Sequence, residues 1–238
     1  MSQAQQARSE ISVSRYLVYA GPLLWAVLIL FHPMPDGDSA YQGLKDDVDL
    51  WLVVHIGQLI LTPFLFLAVW RLLDGLTSAA SMVSRSALVV WTAFFSAYDS
   101  VQGIATGVLT SHANDLAGDD QTAVAGAIDH LVHDSWLAGN VSALQLVAGA
   151  AWLTVAIAAA FALHRAHAGT AVVAATGISI VFAVHAAPAA IGLLALTVAG
   201  VLRERQEAQP SPGDRAMTSP PAARAGGAHG EAPTTSSV

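Results

Sequence analysis

Five stretches of this chain carry no Lys, Arg or Glu and, with one exception, no Asp: 16–35, 50–70, 86–111, 135–163 and 168–202. A helix needs roughly 20 mostly apolar residues to cross about 30 Å of hydrocarbon. Each of the first four stretches therefore reads as one membrane span. The fifth has 35 residues and would make a helix of about 52 Å at ~1.5 Å per residue, too long for one crossing. Pro188 lies within it and removes a backbone donor. Splitting there gives spans near 170–186 and 188–203, the alternative being one kinked or tilted helix and five spans in all. Charged residues make up 11% of the sequence, against about 25% in an average soluble domain.

Basic residues orient the bundle. With six spans and a cytoplasmic N-terminus, nine of the ten Lys and Arg residues fall inside and only Lys45 outside. Five spans would put Arg203 and Arg205 outside, against the positive-inside rule. The expected fold is an all-α polytopic membrane helix bundle of six spans, about 16–34, 50–70, 86–110, 136–163, 170–186 and 188–203, with both termini cytoplasmic. Residues 1–14 are a polar cytoplasmic lead. Val124, Ile128, Leu131, Val132 and Trp136 recur at helical spacing and predict an amphipathic helix over about 121–133 on the outer surface. Asp119, Asp120 and Thr122 offer its caps. Residues 204–238, rich in Pro, Ser, Ala and Gly, are expected to be a disordered cytoplasmic tail. The Ala-rich composition resembles that of membrane proteins from high-GC bacteria, which implies a plasma membrane.

The exception in the third stretch is Asp99, the only charged residue in a run of 26. A charged Asp at the centre of an isolated helix costs roughly 2.5–3.5 kcal/mol on insertion scales. It therefore faces protein or water, or stays protonated. At 100° per residue, Thr92, Ser96, Gly103, Thr106 and Thr110 share its face, with Gln102 at the edge and Phe95 interrupting. Trp51, His55, Gln58 and Thr62 form a second stripe on span 2, where Thr62-Pro63 suggests a kink. Ser142, Gln145 and Gly149 form a weaker third on span 4, with Asn140 near its outer end. Facing one another, these stripes would line a polar cavity with Asp99 as its floor and Gln58, Thr62, Ser96, Gln102, Thr106 and Gln145 in its wall. The alternative is plain hydrogen bonding between helices.

The chain has no cysteine, so disulfides, thiolate ligands and Cys nucleophiles are excluded. Imidazole and carboxylate remain as ligands for zinc or another divalent metal. His32, His55 and His185, at span ends or just inside them, are the candidate ligands at a pocket mouth. Paired histidines also suit haem b, although only His55 lies well inside a span. His130, His133 and Asp134 share one helical face but read more simply as a solvated surface. No nucleotide-binding loop, nucleophile elbow or basic nucleic-acid patch occurs.

Three uses of such a pocket compete. One is an enzyme with Asp99 as general acid or base, metal-assisted or not, on a lipid-like molecule entering from the bilayer. Another is a carrier of ions, protons or small molecules. The third is a structural or regulatory subunit whose polar stripes serve only as helix glue.

Overall fold

The computed structural model describes residues 18–34, 39–139, 142–164 and 186–208. The predicted span 170–186, with His185, lies outside the described residues except for its last position, as do Asn140 and the segments 1–17 and 209–238. All regular structure among the described residues is helical. The elements are α1 (Ala20–Ile29), α2 (Ala40–Leu44), α3 (Val48–Leu72), α4 (Ala79–Tyr98), α5 (Thr106–Asn114), α6 (Gly118–Asp129), α7 (Ala143–His164) and α8 (Ala186–Ala208). A π-helical segment, Asp99–Ala105, joins α4 to α5, and a shorter one, His130–Asp134, follows α6.

Among the described residues, three helices are long and apolar enough to cross a membrane: Val48–Leu72, the continuous Ala79–Asn114, and Ala143–His164. Their polarity is inside out relative to a soluble bundle. His55, Gln58, Thr62, Asp99, Thr106 and Thr110 are buried, while Val53, Ile60, Leu153 and Phe161 are exposed. That arrangement suits a hydrocarbon surround, in which apolar side chains need no cover.

Neighbours in the bundle run α8, α1, α3, then α4 to α5, then α7. Successive neighbours in that order are antiparallel, while α8 and α3, which also touch, run parallel. Gly21 abuts Phe64 while Gly57 abuts Leu28, so α1 and α3 run in opposite directions. Ser84 Oγ donates to the Val155 carbonyl at 3.0 Å, and the Trp91 and Trp152 rings lie 4.5 Å apart, which sets α7 against α4. Tyr19 abuts Gly200, bringing the end of α8 to the start of α1. One end of the bundle thus gathers Arg71, Arg85 and Arg203, and the other gathers His32, His55 and Asp99.

Several boundaries differ from the sequence reading, each for a local reason. The third span extends over 36 residues, Ala79–Asn114, because Ser78 caps its start by accepting from Ser81 N at 3.2 Å. The fourth begins at Ala143 rather than near 136, since a turn with a Gly139 N–H to Ser135 O bond of 2.7 Å precedes it. Helix α3 runs through Pro63 from Val48 to Leu72. Pro188 sits in the first turn of α8, where its missing N–H costs no helical bond. That helix continues past 203 to Ala208, so the segment 204–238 starts as helix. The surface helix is Gly118–Asp129, with Ala117 as N-cap and Asp119 and Asp120 in its first turn, where their charge favours the helix dipole. Its Ile128, with Val132 beyond it, packs against Tyr41 and Ala113 in a small second core above the spans.

Candidate functional site

Two close approaches build the site. Gly103 and Gly107 lie on the face of Ala79–Asn114 that meets α3, and a Cβ at Gly103 would overlap the His55 ring. At Gly107 it would press on Leu52 and Trp51. Small residues at this spacing let two helices pack closely inside a membrane. The approach brings His55 Nδ1 to 2.7 Å from Asp99 Oδ1. Trp51 Nε1 donates to the Gly103 carbonyl at 2.7 Å, one turn further along both helices.

Asp99 opens the π-helical segment. Such widened turns are uncommon and often mark functional sites. The segment shifts the helical phase after Asp99, yet Gly103, Thr106 and Thr110 are all buried. Phe95, which interrupts the polar stripe, is held by aromatic packing instead: its ring lies 5.5 Å from Trp25 and 5.2 Å from Trp91. With Trp152, these rings join α1, α4 and α7 on the Arg71 side of Asp99.

His32, just past α1, completes the group. Its ring stands edge-on to His55 at 5.0 Å and to Trp51 at 5.0 Å. Its Nδ1 lies 2.6 Å from the Pro33 carbonyl. A carbonyl only accepts, so Nδ1 carries the hydrogen and Nε2 the lone pair.

The charged centre is deeply enclosed, Asp99 being 3% and His55 8% exposed. Among the described residues, His55 Nε2 and Asp99 Oδ2 have no hydrogen-bond partner. Buried polar atoms are nearly always paired, so each exception calls for an explanation. A carboxylate that orients one ring nitrogen and leaves the other available is the arrangement found in His-based acid–base and metal sites.

The remaining predicted residues fall around this centre in different ways. Gln58 is buried one turn along α3 from His55, and Thr62 Oγ1 donates to the Gln58 carbonyl at 2.8 Å. Ser96 and Gln102 are half-buried, and the Ser96 carbonyl accepts from Ser100 Oγ at 2.7 Å. Gln145 is half-buried on α7, level with 96–98 in the antiparallel register and one helix removed from α3. Of the proposed ligands His32, His55 and His185, two come together and the third lies outside the described residues. No group of three His, Asp or Glu among the described residues is placed to hold a metal ion. Haem b between His32 and His55 does not fit: rings packed edge to face at 5.0 Å leave no room for a porphyrin between two axial imidazoles. His130 and Asp134 are both largely exposed, 3.6 Å apart.

In the sequence Trp51 stands on a stripe and Gly103 and Gly107 carry no assigned role; in the structure all three build the contact between α3 and the Asp99 helix. The G-x-x-x-G spacing of those two glycines was the available signal. No protein family, curated protein or solved structure matches the chain.

Proposed function

We propose that this is a multi-pass membrane protein whose His55–Asp99 dyad performs acid–base chemistry on a lipid-like small molecule. The observation that carries this reading is the 2.7 Å His55–Asp99 bond, with His55 Nε2 and Asp99 Oδ2 buried and unpartnered among the described residues. With the proton on Nδ1, His55 donates to the carboxylate and presents an Nε2 lone pair. Nε2 takes a proton from the substrate, and Asp99 holds the resulting imidazolium in place. Apolar surroundings exclude bulk water and suit a lipophilic substrate arriving from the bilayer.

The six-span arrangement belongs to the same proposal. Arg203 Nη2 donates to the Asp74 carbonyl at 3.1 Å, and Arg71 meets Glu204 at 3.0 Å. The end of α8 therefore shares a side with the α3–α4 turn, which supports an even number of crossings between Arg85 and Arg203. With Lys45 at the other end, the Arg71 end is the cytoplasmic one in a bacterial-type plasma membrane.

A second reading is favoured by the 5.0 Å contact of His32 with His55. Three titratable groups in line from His32 through His55 to Asp99 would relay protons in a carrier. A divalent metal is a third use, with the Nε2 atoms of His32 and His55 as ligands and His185 as the remaining candidate.

Three measurements on the full chain in lipid nanodiscs separate these uses. Infrared difference spectroscopy should show a titrating carboxyl band that is absent in Asp99→Asn and displaced in His55→Gln. Mass spectrometry of extracted lipids should find a molecule retained by the wild type and lost from Asp99→Asn. Metal analysis should find no stoichiometric metal that His55→Ala removes. A silent carboxyl band with identical extracts would overturn the acid–base reading, while a titrating band with identical extracts would favour the carrier.

A further inference from the structure

Threonine hydroxyls inside the described helices follow a rule with two exceptions. Thr62, Thr92, Thr122, Thr154 and Thr197 each donate to the carbonyl four residues earlier, at 2.8–3.0 Å. Thr106 and Thr110 do not. Both are 0% exposed, and their Oγ1 atoms have no hydrogen-bond partner among the described residues. They lie on the buried face that begins at Asp99, beside the Gly103 and Gly107 contacts with α3.

That line of unsatisfied oxygens ends in a polar network. Beyond Thr110, the Ala113 carbonyl accepts from Gln121 Nε2 at 3.0 Å. Gln121 also donates to the Tyr41 hydroxyl at 3.0 Å, which in turn donates to Asn114 Oδ1 at 3.1 Å. Tyr41 and Gln121 line a cavity of about 320 Å³ between α2 and α6, with Asp129 on its wall. The route from Asp99 to Thr110 covers 11 residues, about 16 Å at ~1.5 Å per residue. Successive oxygens along it are farther apart than one hydrogen bond, so a continuous path needs bridging water.

We propose that Thr106 and Thr110 hold a file of water molecules that conducts protons between the His55–Asp99 dyad and the open cleft between α2 and α6. Each water or hydroxyl oxygen accepts a hydrogen from one neighbour as its own passes to the next. One proton moves, and no group is oxidised or reduced. This rests on the dyad taking up and releasing protons, and it adds the route and the side from which they come. The titratable groups facing Asp99 are His55 from α3, His32 behind it, and Tyr98 on its own helix. At the far end Asp129 faces the cavity.

The test follows the Asp99 carboxyl band of the full chain in proteoliposomes after an external pH jump. Thr106→Val and the double variant with Thr110→Val keep size and remove the hydroxyls. They should slow equilibration of the band at least tenfold while leaving its final amplitude unchanged. Thr106→Ser, which restores a hydroxyl, should recover the wild-type rate if the valine variant folds poorly. Thr154→Val, which lies outside the site and whose hydroxyl donates to the Ala150 carbonyl, should leave the rate unchanged. Wild-type rates in the valine variants would overturn the water file while the dyad stands. A wild-type band that does not respond to pH at all would overturn the dyad and the file together.

Discussion

The two ends of the bundle both bury charge and treat it differently. At the arginine end, Arg71 is shared between Asp74 at 2.6 Å and Glu204 at 3.0 Å. Arg203 donates to the Asp74 carbonyl, and Arg85 donates to the Leu73 carbonyl at 2.6 Å while stacking over Trp70. These groups tie α8 to the turn between α3 and α4, where Gly75 adopts φ 73°. At the histidine end, one short bond joins His55 to Asp99, and four buried polar atoms on His55, Asp99, Thr106 and Thr110 stay unpartnered among the described residues. The first arrangement spends most of its donors on holding helices together, although Arg85 Nε is also buried without a partner among the described residues. The second leaves acceptors and hydroxyls available, at a cost in stability, and that distinction separates a clamp from a site.

The largest effect is expected at His55. His55→Ala leaves the Asp99 carboxyl buried without its partner and is expected to cost about 3–5 kcal/mol, the usual loss when half of a buried pair is removed. Denaturant unfolding of the full chain in mixed micelles measures it. A loss no larger than that of Glu204→Gln would put the two ends on the same footing.

Glycine substitutions come next. Gly103→Ala drives a Cβ into the His55 ring, and Gly21→Ala drives one into Phe64. Both should cost about 1–3 kcal/mol through overpacking. Of these two, Gly103→Ala alone should also move the Asp99 carboxyl band, because Gly103 sits where α3 approaches to bring His55 to Asp99. Equal spectra for the two variants would show that the close approach does not position the site.

At the arginine end the effect should be small. Glu204→Gln leaves Arg71 with Asp74, and the Arg71 side chain is partly exposed, so a loss of about 1 kcal/mol or less is expected, shrinking with added salt. The smallest change should come from His130→Ala. Its partner Asp134 is equally exposed, and the shift should stay within about 0.5 kcal/mol. A larger loss, or a metal-dependent shift in melting temperature, would reopen the His130, His133 and Asp134 face as a ligand set.

Much of this architecture is legible from residue order. Charge-free stretches of the right length mark the helices, since hydrocarbon penalises charge wherever the chain crosses it. The face shared by Asp99, Thr106 and Thr110 is legible as well, because burial follows helical periodicity. The π-helical segment is not, because a widened turn depends on what packs beside it. The carbonyl of Gly103 accepts from Trp51, a residue 52 positions earlier.

The sequence by itself determined that this is a membrane-associated helical protein with an acid turned toward its interior. The cost of an unpaired charge in lipid acts on each helix separately and is written in local composition. Only the tertiary structure decided the partner of that acid. Asp99 and His55 stand 44 residues apart, and their bond depends on the approach of two helices at Gly103 and on the side chain that fills the gap. Such a contact is a property of a pair of surfaces, and neither stripe of residues contains it alone.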